Sequence, residues 1–414
     1  MWDGSLERSE AILAAHPDVA SSDIHVAAIL GDDRAVRRFL DTDPSAATAR
    51  VGPRGCDALT YLCFSNYLRL DPTRSDGFIR AAQALLDAGA SANTGFWDIT
   101  HEPEPQWESA IYGAAGVAHH AELTRLLLEY GANPNDGETP YHLPETYDNR
   151  ALKILVDSDT LTDESLTMIL LRKTDWHDYE GIKWLLGCGV DPNRTNFFGK
   201  TALHNAVLSD NALPIIEVLL NHGANPMLVT ERPDRIRAAE ANQTAVSMAV
   251  RRGRGDVLDL FERRGFPIEL QGVERLIGAC ARNNAAKVHS IAAGEPRLVD
   301  ELLDEGSTLL AQFAATGNTE GVRHLLDLGV DVRAQDPHGN SYLGIAENST
   351  ALHVAAWLAW PRYNCSSSAA PRSTCPMERA ARHLPSPFAR ALIRTGLGGA
   401  HPSRCPCCSK PAPR

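Results

Sequence analysis

The chain ends SRCPCCSKPAPR, which places Cys405, Cys407 and Cys408 within four residues. Thiolates at that density suggest zinc or redox chemistry. A structural zinc site needs four ligands at a characteristic spacing. Cys375 and His401 are further donors, but they stand at no such spacing. His119 and His120, in GVAHHAEL, form a second pair of potential ligands without a recognisable third. They read as a turn between two helices. EPEPQWE (102–108) collects Glu102, Glu104 and Glu108, carboxylates that acid–base chemistry could use but that a solvated loop carries equally well. The chain holds no GxSxG, no HExxH and no Gly-rich stretch with phosphate-loop or dinucleotide spacing. The expectation is a protein that is not an enzyme and holds no cofactor and no metal.

Composition narrows the class. Apolar residues make up 43% of 414, enough for a continuous core, and charged residues make up an ordinary 22%. The net charge of −12 disfavours nucleic acid and anionic membrane as partners, since both reward clustered Lys and Arg. MWDGSLERSEAILAAH has neither the basic nor the apolar region of a secretory signal. No apolar run approaches the ~18 residues of a membrane span. A cytoplasmic location with reduced cysteines is therefore expected. The charge is uneven, however. Residues 362–414 carry +8 and five of the nine cysteines, leaving −20 for residues 1–361.

A repeat runs through the chain. In GKTALHNAVLSDNALPIIEVLLNHGANPM (199–227), Thr201 reads as an N-cap for a short helix, ALHNAVL. SDNALP then turns, IIEVLLNH forms a second helix, and Gly223 ends it. Similar endings stand at Gly89, Gly131, Gly189, Gly265 and Gly329, with gaps along the series of 42, 58, 34, 42 and 64 residues. The 58 divides at KILVDSD (153–159), and the 64 divides at Gly294 in HSIAAGEP. A period near 33 with two helices per unit predicts an all-α solenoid rather than separate globular domains.

TALHNAV followed by HGANP closely resembles the ankyrin repeat. Weaker echoes are DIHVAAILGD (23–32), the unit near 108–137, the unit near 307–335 and STALHVAAW (349–357). The resemblance implies about ten helix-turn-helix units over 1–361, joined by short or extended β-hairpin loops. DALTYLCFS (57–65), ETPYHLPETYDN (138–149) and SLTMILLRKTDW (165–176) keep little of the pattern and mark distorted units. His25, His204 and His353 stand at the motif histidine, which the resemblance makes a structural tie before the first helix.

The last unit starts well at STALHVAAWLAWP and then loses all apolar period. The following Arg, Ser, Pro, Ala and Cys are what GC-rich DNA yields out of frame. With permitted third bases, the shifted frame from Pro361 reads AVQLLELRGAPVDVPDGTGSTPLALAV and continues to VLLEAGAP. That supplies the missing second helix and a further unit. Residues 362–414 are thus expected to be an out-of-frame, disordered tail, and its cysteines accidental.

The resemblance implies a monomeric scaffold that binds a protein partner through its hairpin and inner-helix face. A dedicated inhibitor or regulatory subunit of one enzyme is the alternative. Long loops at 90–109, 191–200 and 224–243 point to Phe96, Trp97, Trp107, Phe197 and Phe198 as partner contacts, with Trp176 in a turn on the other side. Restoring the shifted frame should raise hydrogen-exchange protection over 349–361 and increase solubility. Strong protection throughout 370–410 in the chain as it stands would overturn the frame reading.

Overall fold

Repeats stay in phase only if every second helix stops at the same place, and here backbone conformation makes the stop. Gly89, Gly131, Gly189, Gly223, Gly265 and Gly329 follow the second helices with φ between 80° and 108°. A side chain at Gly189 would meet no atom within 4 Å. Glycine is needed there for its left-handed backbone and not for space. After KILVD the same place is taken by Asp159, with φ 55°. That end escapes the Gly-Ala pattern while keeping its geometry.

The structure, a computed structural model, describes residues 5–100, 104–231, 241–339 and 346–359. It is mostly helical, and the chain divides into two compact units, Met1–Asn242 and Gln243–Arg414. In the first, α1 (Glu7–Ala15) precedes the helix pairs. These are α2 (Ile24–Leu30) with α3 (Asp33–Thr42), and α4 (Ala58–Cys63) with α6 (Ser75–Asp87), the short α5 (Asn66–Leu70) lying between the latter two. Next, α7 (Ala110–Tyr112) runs on as a π-helical turn, Gly113–Val117, and pairs with α8 (Ala121–Glu129). Then come α9 (Glu138–His142) with α10 (Arg150–Asp157), α11 (Asp163–Asp175) with α12 (Tyr179–Gly187), and α13 (Ala202–Leu208) with α14 (Leu213–Asn221). The second unit holds α15 (Ala245–Arg251) with α16 (Gly255–Arg263), α17 (Val273–Ala281) with α18 (Ala285–Gly294), α19 (Pro296–Asp304), α20 (Gly306–Ala315) with α21 (Thr319–Asp327), and α22 (Ala351–Ala359). Among the described residues, strand is confined to two antiparallel hairpins, β1 (Gly95–Asp98) with β2 (Gln106–Ser109) and β3 (Gln335–Asp336) with β4 (Ser349–Thr350).

Local chemistry explains these starts and turns. Asp57, Ser109, Thr162, Thr201 and Thr244 each accept a backbone N–H from the first turn of their helix. The motif histidine completes the cap. His204 Nδ1 accepts the Thr201 N–H at 3.2 Å, so Nε2 carries the proton and donates to Leu228 O at 2.8 Å. His25 Nε2 reaches Ala49 O in the same way at 2.9 Å, and His353 Nδ1 accepts the Thr350 N–H. Inside the pairs, the turn passes through a second left-handed residue, His119, His177, Asp210 or Asn283 where it is not glycine.

A side-chain clamp then joins neighbouring repeats. Four residues after their helix-ending glycines stand Asn93, Asn135 and Asn193. Asn93 donates to Gly131 O at 2.9 Å and accepts the Asn133 N–H at 2.8 Å. Asn193 does the same with Gly223 O and the Asn225 N–H, both at 2.8 Å. Asn135 spans Thr160 O and the Thr162 N–H. After Gly223 the corresponding position is Met227.

The three segments furthest from the repeat pattern are all first helices. They differ in length, from five residues in α9 to thirteen in α11. The division at Gly294 coincides with the end of a second helix, α18, but lacks the left-handed stop. Pro296 opens α19 directly after it, at a helix position where a missing N–H costs nothing. Thiols lie in the cores of both units. Cys63 on α4 and Cys280 on α17 are fully buried, and burial pushes both thiol pKa values up, that of Cys280 to about 12. Residues 362–414, with Cys375, His401, Cys405, Cys407 and Cys408, lie outside the described residues, as does Glu102.

Two glycines separated by one residue should respond oppositely to alanine. Gly187 ends α12 with open space around it, so Gly187→Ala should stabilise by about 0.5–1 kcal/mol. Gly189 has φ 89°, so Gly189→Ala should destabilise by about 1–2 kcal/mol. Urea denaturation of both variants measures the two signs.

Candidate interaction surface

The β1–β2 hairpin is built by alternation. Antiparallel register sets Phe96 opposite Glu108 and Trp97 opposite Trp107. Successive side chains in a strand point to opposite faces. Phe96 is only 4% exposed, sits edge-on to Phe64 with ring centres 5.3 Å apart, and is covered by the Arg54 guanidinium at 4.9 Å. Trp97 is 59% exposed and leans on the half-buried Trp107, with ring centres 5.4 Å apart. Phe96 is therefore a core residue and not a partner contact, which corrects the sequence expectation. The strand period separates it from Trp97. Ile99, at 79% exposure, completes the hairpin's apolar tip and was not singled out from sequence.

A separate loop carries the phenylalanines. Asn196 accepts the backbone N–H groups of Phe198 and Lys200, each at 3.1 Å, and so folds TNFFGK into a tight loop. Gly199 O accepts the Glu231 N–H at 2.9 Å. Phe197 is 43% exposed and Phe198 half-buried, with ring centres 4.0 Å apart. Trp176 lies elsewhere, as the C-cap of α11 in the turn before α12. It is half-buried against Tyr147, whose hydroxyl donates to Trp176 O at 2.8 Å. The predicted residues thus occupy three separate elements.

Sequence reasoning missed a buried charge lattice on α9, α11 and α13. Lys173 is fully buried, and its Nζ donates to Thr146 O at 2.7 Å and to Asp178 Oδ2 at 2.8 Å. Burial pushes the Lys173 pKa down. Burial alone would raise the Asp178 carboxyl. Bonds from Lys173, the Gly181 N–H and Asn149 outweigh it and hold that pKa below the usual value. Arg172 is held by Glu145 at 2.7 Å and Asp175 at 2.5 Å, with its guanidinium 4.2 Å from the Tyr141 ring centre. Asp175 also accepts from Asn205 and Ser209, tying α11 to α13. His142 lies 3.2 Å from Glu138 and 3.1 Å from Glu145. Burial alone would lower its pKa, but the two carboxylates raise it to about 9. The visible signal was adjacent Arg and Lys inside the apolar run MILLRKT. Each cation meets a carboxylate, so the lattice fixes α9, α11 and α13 against one another. Among the described residues, no group of three or more His, Cys, Asp or Glu could hold a metal ion, and no helix is long and apolar enough to cross a membrane.

One family model agrees with the repeat pattern. Residues 171–269 match the family model described as ankyrin repeats, three copies. Similar curated proteins are the mitochondrial disaggregases of Homo sapiens and Bos taurus. The first is 26% identical over 66% of this chain and 40% of the relative, the second 24% identical over 58% and 32%. The chain therefore spans less than half the length of either. A solved structure, the human ASB11 ankyrin repeat domain, aligns with a TM-score of 0.40 at 18% identity, covering 54% of this chain and 90% of that one.

The His142 ion pairs set a pH dependence. Its folded pKa, raised to about 9, lies above the ordinary unfolded value of about 6.5. The contribution is full below pH ~6.5 and is lost as pH rises through ~9. Stability measured by urea denaturation should fall across that window. In His142→Gln the fall should be shallower.

Proposed function

Residues 171–269 make this chain an ankyrin repeat protein, and from that premise we propose that it is a scaffold for protein–protein interaction, itself without catalytic activity. Ankyrin repeats generally mediate such contacts. The partner binds the hairpin and inner-helix face of stacked repeats. The observation that carries this reading is Trp97, a large aromatic 59% exposed on a hairpin whose neighbouring Phe96 and Trp107 hold it in place. Exposed aromatics on rigid supports are the usual anchors of interfaces. Phe197 on the 195–200 loop gives a second anchor of the same kind.

The chain acts as a monomer in the cytoplasm in this proposal. The disaggregase relatives raise the mitochondrion as the competing location, which fractionation of a tagged chain decides. Their activity is not carried over, because the match leaves most of their length uncovered.

Affinity capture with the full chain as bait tests the reading. Trp97→Ala combined with Phe197→Ala and Phe198→Ala should abolish partner capture with the melting temperature nearly unchanged. Full capture by the triple variant would sink the proposed surface, and a large fall in melting temperature would show the residues to be core.

A further inference from the structure

Three histidines occupy the same place in their repeats, and one lacks what the other two hold. His25 and His204 are buried, and each Nε2 reaches a carbonyl 24 residues later, Ala49 O at 2.9 Å and Leu228 O at 2.8 Å. Those carbonyls lie beyond the second helix of the same unit, α3 or α14. His353, on α22, is exposed. Its Nδ1 accepts the Thr350 N–H at 3.3 Å, so Nε2 carries the proton, and no carbonyl among the described residues takes it.

The apolar side chains of α22 follow the same contrast. In α13, Leu203, Ala206 and Val207 are buried, and in α2 the matching Ile24, Ala27 and Ala28 are buried too. Their counterparts on α22 are open: Leu352 and Ala355 are half-buried and Ala356 is exposed. The closed face carries Ala351 and Val354, with Val354 packed on Ala311 of α20. Each of α2 and α13 lies against the second helix of its own unit. Among the described residues no second helix follows α22.

We propose that this end of the array is a docking site for an ankyrin-type second helix and its hairpin, presented by a separate chain. The helix covers Leu352, Ala355 and Ala356, a burial of apolar area that drives helix-in-groove recognition. A carbonyl of the hairpin behind it takes the His353 proton. The occupant's chemistry is set by what α14, Gly223 and Leu228 O supply to α13: an amphipathic helix with paired leucines, a glycine stop, then an acceptor. RYNCSSSAAPRSTCPMERAARHL, which follows in the chain, has no such pattern, whereas AVQLLELRGAPVDVPDG, in the shifted frame, has it. The site is independent of the hairpin anchors proposed above.

The test adds the synthetic peptide AVQLLELRGAPVDVPDG, or a scrambled version, to the full chain. Calorimetry reads binding, and amide exchange reads protection over 349–356. The peptide should bind and slow exchange there by about tenfold or more, with the scrambled one at least about tenfold weaker. Ala356→Glu, at an exposed position that tolerates it, should weaken binding by about tenfold, and His353→Ala by about fivefold. No binding, binding indifferent to either substitution, or binding matched by the scrambled peptide overturns the proposal. Exchange already slow in the free chain, and quickened by Ala356→Glu, would mean that residues 360–414 fill the site. Protection that appears only at high protein concentration would mean that a second copy does. Either result also overturns it, and none of them bears on capture through Trp97 and Phe197.

Discussion

A single left-handed residue after most of the second helices governs the rest of the chain. It turns the backbone out of the helix, so that the asparagine four residues later can bridge to the next repeat. Gly89 leads to Asn93, and Asn93 holds Gly131 and Asn133. Gly189 leads to Asn193, which holds Gly223 and Asn225. A wrong φ at any of these stops would misplace a clamp and the following hairpin with it. The clamp bonds are individually modest, each about 1 kcal/mol, and their effect is to fix one register among neighbours. Stability in such arrays is close to a sum over adjacent units, so the series matters more than any member.

The region around α11 is held differently. There a helix carries Arg172 and Lys173 where an apolar core would be expected. Burying two cations is costly unless each meets a carboxylate of good geometry. Asp178, Glu145 and Asp175 supply that. Ion pairs are directional where apolar packing is not, so α9, α11 and α13 have one arrangement that satisfies all of them.

What could be read from sequence was what is decided locally. Glycine at the helix stops, threonine at the caps and histidine three residues later each act within one turn, and each stands where expected. At Gly294, AAGEP imitates the stop while Pro296 restarts a helix at once. Phe96 and Trp97 were taken together because composition marks both as aromatic. Only strand pairing with Trp107 and Glu108 decides which faces outward, and pairing is a long-range fact. Lys173 was missed although MILLRKT showed it, because what makes it a buried partner is Thr146, which lies 27 residues away in the chain.

The buried thiols give the fold a clock. Cys63 and Cys280 each sit at zero exposure, one in each compact unit, with pKa values pushed up. A thiol in that state cannot meet an alkylating reagent until its surroundings open. Cys188, exposed at the end of α12, reacts without that delay and calibrates the reagent. Labelling followed by mass spectrometry would therefore time the opening of the two units separately within one molecule, with no probe added to the chain.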